Sequence, residues 1–192
     1  MGDECVMNIY IILGTAVFIV VLLIYYIIRT FNELVKRRNR VNTQWAQVDV
    51  QLTRRADLIP NLVEVVKAYA LHEKEIFQKF ADARNVLSKA HSPEQTMKAN
   101  ELLSSQLPGL FAIAENYPDL TADSNFISLQ SKLKDTEDKL AYARQFYNDA
   151  ALLYKNKLQQ FPSNVFAEMF NFEDMPYYIA NKDEKDKIKI GF

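Results

Sequence analysis

The sequence predicts an all-α protein in which an N-terminal transmembrane helix continues into an antiparallel bundle of three or four long helices. Three observations predict this fold. The 192 residues include only four glycines and six prolines, fewer turn residues than a strand-rich fold of this length requires. Residues 9–28 carry no charge. Elsewhere, apolar residues recur at steps of three and four, and no segment alternates with the period of two that marks a strand.

Residues 9–28 are predicted to be a membrane span, preceded by a short extracytoplasmic N-terminus of residues 1–8. Twenty helical residues, at about 1.5 Å each, reach about 30 Å, the thickness of the hydrocarbon core of a bilayer. Tyrosines fall near both ends of the segment, where interfacial aromatic residues are common. The flank before the span is acidic and no cleavage site follows it, which argues against a signal peptide. We therefore expect an uncleaved, single-pass anchor.

A group of basic residues follows the span. Residues 29–40 hold five cations and one acid, whereas the N-terminal flank holds two acids and no base. The positive-inside rule then places the N-terminus outside and the helical bundle, residues 29–172, in the cytoplasm. These cations either set the topology alone or also contact anionic lipid headgroups. They are Arg29, Lys36, Arg37, Arg38 and Arg40.

The first long helix is predicted to continue from the span without a break, because no glycine or proline lies between Arg29 and Pro60. Its apolar residues form a narrow seam for packing against other helices. We expect it to end or kink near residues 58–59, since a residue before proline is disfavoured in the α region. Pro60 also suits the first turn of a second helix. Whether it turns the chain back or only bends it stays open. The seam consists of Leu34, Val41, Trp45, Val48 and Leu52.

The second and third predicted helices are recognised from an apolar stripe and from the residues at their ends. The second carries an apolar stripe in which Glu73 is expected either to pair with a cation of a neighbouring helix or, less favourably, to be buried with a raised pKa. The third is expected to begin at Ser92–Pro93, an N-cap followed by a first-turn proline. We expect Pro108–Gly109 to interrupt it and residues 116–119 to end it.

The fourth helix has the most regular pattern. Large apolar residues recur at every seventh position, and Pro162 closes the segment. A strict seven-residue repeat predicts left-handed, coiled-coil-like packing. The repeated residues are Phe126, Leu133, Leu140, Tyr147, Tyr154 and Phe161.

Residues 161–178 are rich in aromatic side chains. Such a segment either folds back onto the bundle, which we expect because a large bare apolar patch is unfavourable, or offers a surface to a partner. The C-terminal tail, residues 173–192, ends in a charged stretch that we expect to be loose. The side chains that would form an interaction surface are Phe166, Phe170, Phe172, Tyr177 and Tyr178.

The sequence carries no motif for catalysis or for binding a metal or cofactor. His72–Glu73 is similar to the start of a zincin helix, but the second histidine of that motif would fall at Ile76. The chain has two histidines and one cysteine, too few for a four-ligand zinc site built on those residues. Phosphate-binding glycine loops and nucleophile motifs are absent. With a net charge of −1, nucleic-acid binding is not indicated. We therefore expect no enzyme, no cofactor and no nucleic acid.

Polar residues cluster at helix boundaries. One group surrounds Pro60, a second precedes the fourth helix, and a third lies within that helix. We expect them to cap helices and to satisfy buried backbone groups, with a functional role as the alternative. These residues are Arg54, Arg55, Asp57, Pro60, Asn61, Asn116, Tyr117, Pro118, Asp119, Arg144 and Asn148.

Several stretches of the chain, including those that carry these polar residues, resemble the LemA family of membrane-anchored bacterial proteins. The similarity covers nearly the whole chain and includes RRADLIPNLVEVVK within residues 31–73, AENYPDL at 114–120 and the segment 143–172. The resemblance implies one span of the bacterial inner membrane and a cytoplasmic helical bundle, and it implies no reaction or catalytic residues. A magnetosome-membrane protein of the same family suggests a role in membrane organisation. The family usually has a glycine where this chain has Asn171, which puts a tight turn there in question.

The sequence thus predicts a membrane-anchored, non-enzymatic helical scaffold or interaction protein at the inner face of the membrane. The partners it implies are the lipid bilayer, further copies of the chain in a homo-oligomer, and a membrane protein. The alternative is an accessory or regulatory subunit of a membrane protease or of a cell-envelope signalling system.

Overall fold

The computed structural model describes residues 2–179, apart from the side chains of residues 2–7, 9 and 11. The loose stretch expected at the end of the C-terminal tail lies outside these residues. Within them the chain is helical and contains no strand, which confirms the predicted all-α class. The helices are α1 (Gly2–Tyr69), α2 (Lys74–Ser88), α3 (Pro93–Glu115), α4 (Pro118–Thr121), α5 (Ser124–Gln159) and α6 (Ser163–Met169).

Helix α1 runs from the apolar N-terminal segment into the bundle without a break, as predicted. Between Ile12 and Ile28 its apolar side chains are largely exposed. Of the residues that the structure describes, only α1 forms a helix long and apolar enough to cross a membrane. The exposed apolar surface of this segment is what a lipid-facing span requires.

Pro60 does not begin a second helix, so of the two possibilities that the sequence left open, a turn of the chain at Pro60 is excluded. Helix α1 continues through it to Tyr69, and the turn comes at residues 70–73. A proline inside a helix removes one hydrogen bond and costs about 3 kcal/mol. Here Ile59, Leu62 and Val66 are all buried, so the apolar face is continuous across the proline, and burial on both sides offsets that cost.

The first of two compact units comprises residues 1–41 and 150–175. It contains the start of α1, the end of α5 and all of α6. Arg37 donates to the carbonyl of Leu153 at 3.2 Å, and Lys155 contacts Asp174 at 2.6 Å. Its buried apolar side chains are those of Leu34, Val41, Ala150, Ala151, Tyr154 and Ala167.

Helix α6 ends in a tight turn at Asn171, which the missing family glycine had put in question. Asn171 has φ of 53°, in the left-handed region that asparagine tolerates better than most residues. The Phe172 amide donates to the Ala167 carbonyl at 2.9 Å, and the Asn171 amide to the Glu168 carbonyl at 3.2 Å. These two bonds form a Schellman motif, so asparagine here replaces the glycine without loss of the turn.

The second unit comprises residues 42–149 and 176–192, of which those up to 179 are described. In it α1 and α5 are antiparallel. The rings of Trp45 and Tyr147 are 5.4 Å apart, and the Tyr69 hydroxyl donates to Asp123 at 3.0 Å. The earlier residue of α1, Trp45, therefore contacts the later part of α5, and the later residue, Tyr69, contacts Asp123 just before the start of α5. The core of this unit is built from α1 to α5 and includes Ile59, Leu62, Val66, Phe80, Leu103, Leu110, Leu120, Phe126 and Leu133.

Helices α2 and α3 form a hairpin, in which the start and the end of α3 match the sequence prediction while α2 begins only at Lys74. The Ser92 hydroxyl accepts from the Gln95 amide at 3.3 Å, which confirms the predicted N-cap. Pro108–Gly109, however, does not interrupt α3. A Cβ on Gly109 would lie 2.5 Å from Cδ1 of Ile76, so glycine permits the close approach of the two helices. Glu73 is exposed in the turn before α2 and does not belong to an apolar stripe.

The seven-residue pattern of α5 is buried except at its last position. The side chains from Phe126 to Tyr154 that share this spacing are at most 6% exposed. Phe161 is 84% exposed, because α5 ends at Gln159 and the repeat ends with it.

Candidate functional site

A group of charges around the buried Arg55 lies in the second unit, and we call Arg55, Glu137 and Arg144 the ionic cluster. Arg55 lies on the apolar face of α1 at helical spacing from Leu52 and Ile59, and it is only 3% exposed. Glu137 and Arg144 are seven residues apart on α5 and therefore share a face. Arg55 approaches Glu137 at 3.0 Å and Arg144 approaches it at 3.8 Å.

The ionic cluster carries a net positive charge, because two guanidinium groups share one carboxylate. Burial lowers the pKa of Arg55; Glu137 opposes this shift and Arg144 adds to it. The Arg55 and Glu137 atoms in contact are not aligned as a hydrogen bond, and Nε of each arginine has no hydrogen-bond partner within residues 2–179. Glu137 is 44% exposed, so water reaches the cluster from one side.

The ionic cluster lies beside residues 176–179, which we call the C-terminal strap. The Asn148 side chain binds the backbone of Tyr178 twice: Oδ1 accepts from its amide at 2.8 Å, and Nδ2 donates to its carbonyl at 2.9 Å. The Arg144 guanidinium lies 4.5 Å from the Tyr178 ring centre. Asn100 donates to the Tyr178 hydroxyl at 3.1 Å, and the Tyr147 hydroxyl donates to the Pro176 carbonyl at 2.7 Å.

This arrangement brings three predicted residues together and separates the two possibilities for Tyr178. Tyr178 is 7% exposed and is held by hydrogen bonds, so it folds back as the sequence analysis favoured and is not part of a surface for partners. Tyr177 is half-buried. Arg55, Arg144 and Asn148, identified as polar motif residues, all contribute to the cluster or to the strap. The arrangement fixes a backbone segment, and its chemistry is charge pairing and amide recognition.

The other predicted polar residues lie at separate places. Arg54 pairs with Asp135 at 3.5 Å. Asn61 donates to the Asp57 carbonyl one turn before it at 3.3 Å, beside the half-buried Pro60.

The group at residues 116–119 forms a helix boundary, the role expected for it. Asn116 caps the end of α3, and its side chain donates to the Ala112 carbonyl at 3.2 Å. Pro118 and Asp119 form the first turn of α4, while Tyr117 packs against the core.

Two residues of this arrangement were not identified from the sequence. Asn100 is 1% exposed although it is polar, and its position one turn before Leu103 on the apolar face of α3 was the available signal. Glu137 follows the buried Thr136 and precedes Arg144 by seven residues. The side-chain pairs that interact along a helix are three or four residues apart, so the sequence carried no local signal for this contact.

A second feature, in the first unit, is a cluster of aromatic rings beside the end of the apolar segment. The rings of Tyr26 and Phe166 are 6.0 Å apart, and Phe31 lies 5.1 Å from Phe170 and 5.6 Å from Phe172. We call these five rings the aromatic cluster. Phe166 and Phe172 are half-buried, and Phe170 remains 40% exposed.

The basic residues after the span divide into two sets. Arg37 pairs with Glu33 at 2.7 Å, and the Arg38 guanidinium lies 5.1 Å from the Phe172 ring centre. Arg29, Lys36, Arg38 and Arg40 are exposed, and Arg37 is half-buried. Four of the five predicted membrane-surface cations are therefore at the surface, and one of these four, Arg38, also has a contact within the protein.

An apolar groove of about 380 Å³ lies between α1 and α2 in the second unit. Its walls include Ile59, Phe77 and Phe80, and its rim carries Lys67, Arg84 and Glu64. The rim thus has a net positive charge.

Comparison with known proteins gives a consistent set of relatives. The family model that matches, over residues 44–192, is described as the LemA family. Magnetosome protein MamQ 2 of Paramagnetospirillum magneticum is 24% identical over 193 aligned residues, which cover 87% of this chain and 69% of that protein. Magnetosome protein MamQ of Magnetospirillum gryphiswaldense has the same identity and coverage. Protein LemA of Metamycoplasma hominis is 22% identical over 158 residues, 80% of this chain and 71% of its own.

Proposed function

The chain belongs to the LemA family, and on that premise we propose that it is a membrane-anchored, non-enzymatic helical scaffold that associates with further copies of itself. The observation that carries the proposal is the continuity of α1, which joins the exposed apolar segment to the bundle in one helix. A helix that crosses the bilayer and continues into the bundle attaches the bundle to the membrane without a linker. Such a connection suits a scaffold.

The proposed orientation places the bundle at the cytoplasmic face of the bacterial inner membrane. The exposed cations Arg29, Lys36 and Arg40 support it, because cytoplasmic flanks are enriched in lysine and arginine.

Self-association is supported by aromatic side chains that the fold leaves at the surface. The seven-residue seam of α5 is already buried and is therefore not available to a second copy. Tyr142 and Phe146, one turn apart on α5, are 65% and 58% exposed. Exposed aromatic pairs on a helix are typical of interaction surfaces. Tethering to one membrane raises the effective concentration of copies and favours contact between them.

The mass of the full-length protein in lipid nanodiscs or mild detergent tests this proposal. We expect an oligomer at micromolar concentration, which the double variant Tyr142→Lys/Phe146→Lys converts to a monomer. Gln130→Lys, an exposed change on the same helix, is the matched control and should leave the mass unchanged. A wild-type protein that is strictly monomeric at that concentration contradicts the proposal.

The groove between α1 and α2 favours a second candidate, an accessory subunit of a membrane protease or signalling system. Its apolar walls and positive rim suit an apolar segment with an acidic residue from a different protein. A photo-crosslinking residue at Ala81, which lines the groove and is exposed, should capture one heterologous protein in cells. The product should disappear when Phe77 is changed to Asp, and crosslinks only between copies of the chain exclude this candidate.

A further inference from the structure

The aromatic cluster fixes the depth of α6 relative to the apolar segment of α1. Tyr26 lies three residues before Arg29, the first charge after that segment. Its ring is 6.0 Å from Phe166 of α6. Three residues of helix are about 4.5 Å long, so this contact lies just inside the level at which the apolar segment ends. Phe170 and Phe172 contact Phe31, which is farther from the apolar segment.

The surface of α6 is divided into an apolar and a polar side. Val165 and Met169, four residues apart on α6, are 53% and 58% exposed, and Phe161 in the turn before the helix is 84% exposed. At about 100° per residue, Val165, Met169 and Phe166 lie on one side of α6, toward Tyr26. The exposed residues Asn164 and Glu168 lie on the other. Ser163 and Ala167 are buried and attach the helix to its unit.

We propose that α6 and the turn before it form a membrane-surface element, in which Phe161, Val165 and Met169 insert into the headgroup and upper acyl region of the bilayer. The element lies beside the end of the span, and the apolar face of an interfacial helix reaches about 5–10 Å into this boundary. The inference goes beyond a scaffold role, and it rests on the proposed membrane crossing by residues 9–28.

The chemistry of the surroundings favours lipid as the occupant of this face. Phe166 of α6 joins the apolar segment through its contact with Tyr26, so the same hydrocarbon that covers the span is next to α6. Arg29 and Lys36 are exposed in the same unit, and each cation near an anionic bilayer surface strengthens the attachment. The bilayer therefore sequesters the aromatic residues that the protein core leaves exposed.

Depth-dependent fluorescence quenching of the full-length protein tests the proposal. In a Cys5→Ser background, single cysteines replace Phe161 or Val165 and carry an environment-sensitive fluorophore. The protein is reconstituted in vesicles of phosphatidylethanolamine and phosphatidylglycerol that contain lipids spin-labelled either high or low on the acyl chain. Glu168→Cys, on the polar side of α6, is the matched control. Leu23→Cys reports on the span itself.

We expect the high spin label to quench fluorophores at 161 and 165 about twofold more than the fluorophore at 168, because only the apolar side of an interfacial helix is in the acyl boundary. The fluorophore at 23 should respond most to the low label. Quenching at 23 without quenching at 161 and 165 overturns the inference and leaves the membrane anchor in place. Loss of quenching at all positions overturns the anchor as well.

Aqueous iodide separates lipid from protein as the occupant. Fluorophores at 161 and 165 that are shielded from iodide and quenched by the lipid labels support the proposal. Shielding from iodide without quenching by lipid means that another protein surface covers α6, which overturns it.

Discussion

Glu137→Gln removes the carboxylate that faces both arginines of the ionic cluster while leaving its shape almost unchanged. Breaking a fully buried ion pair in this way costs about 3–5 kcal/mol, whereas an exposed pair contributes about 0.2–1 kcal/mol. Arg55 is 3% exposed and Glu137 is 44% exposed, so the pair lies between these limits. We expect the free energy of unfolding to fall by about 2 kcal/mol, or the melting temperature by about 4–8 °C in a chain of this size.

Arg55→Met is the matched variant, and in contrast to Glu137→Gln we expect it to change the free energy of unfolding little. Methionine fills the buried space without a charge, and Glu137 keeps its contact with Arg144 and its access to water. Replacing buried ionic groups with apolar ones is often neutral or stabilising. We therefore expect stability within about 1 kcal/mol of wild type. The double variant should be at least about 1 kcal/mol more stable than Glu137→Gln alone, because no buried Arg55 charge is then left unpaired.

Trp45 provides the assay. It is the single tryptophan of the chain, and it packs against Tyr147 in the same unit as the cluster. Urea unfolding of the full-length protein in detergent, followed by its fluorescence, reports on that unit. Equal losses of stability in Glu137→Gln and Arg55→Met, adding fully in the double variant, would refute the reasoning.

Three further predictions concern single side chains and use thermal unfolding. Tyr147→Phe should lower the free energy of unfolding by about 1 kcal/mol, because it removes the hydrogen bond to the Pro176 carbonyl. Tyr154→Phe should be neutral or stabilising, since the buried Tyr154 hydroxyl has no hydrogen-bond partner among the described residues. A larger loss in Tyr154→Phe than in Tyr147→Phe contradicts this. Because φ is positive at Asn171, Asn171→Gly should raise the melting temperature and Asn171→Val should reduce stability by about 1–2 kcal/mol. Identical melting temperatures in the two variants would count against this prediction. The pKa of Asp123 is lowered, chiefly by the Phe126 amide and then by the Tyr69 hydroxyl. Its stabilisation is present above the unfolded pKa of about 3.9 and is lost as pH falls through the lower folded value. Asp123→Asn, which preserves an N-cap, should therefore show a smaller drop in melting temperature between about pH 6 and pH 2, and equal drops exclude the mechanism.

The helices could be predicted because their apolar spacing and capping residues are local properties of the sequence. The cap at Ser92 and the boundary at residues 116–119 were found in this way. Pro60 and Pro108 were misjudged for a common reason. The proline rule describes one missing hydrogen bond and a local steric preference, whereas both helices are held by apolar residues buried on each side of the proline.

The buried site could be predicted only in part. Arg55 and Arg144 were recognised as polar motif residues, but the approach of Arg55 to Glu137 depends on the register of α1 against α5, about eighty residues away in the chain. No local pattern determines that register. The sequence left two possibilities for Tyr178, because aromatic composition does not reveal which ring turns inward. The Asn148 amide, thirty residues earlier, decides it.

The antiparallel pairing of α1 and α5 has a consequence for the order of synthesis. Residues 42–69 are made long before residues 123–149, and Tyr178 is made later still. Helices α2 and α3 are joined by a short turn and can pair as soon as both exist. The end of the apolar face of α1, around Ile59, shares a core with both of them, whereas Trp45 packs against Tyr147 of α5. The nascent chain therefore keeps the Trp45 part of this face without that partner until α5 has been translated.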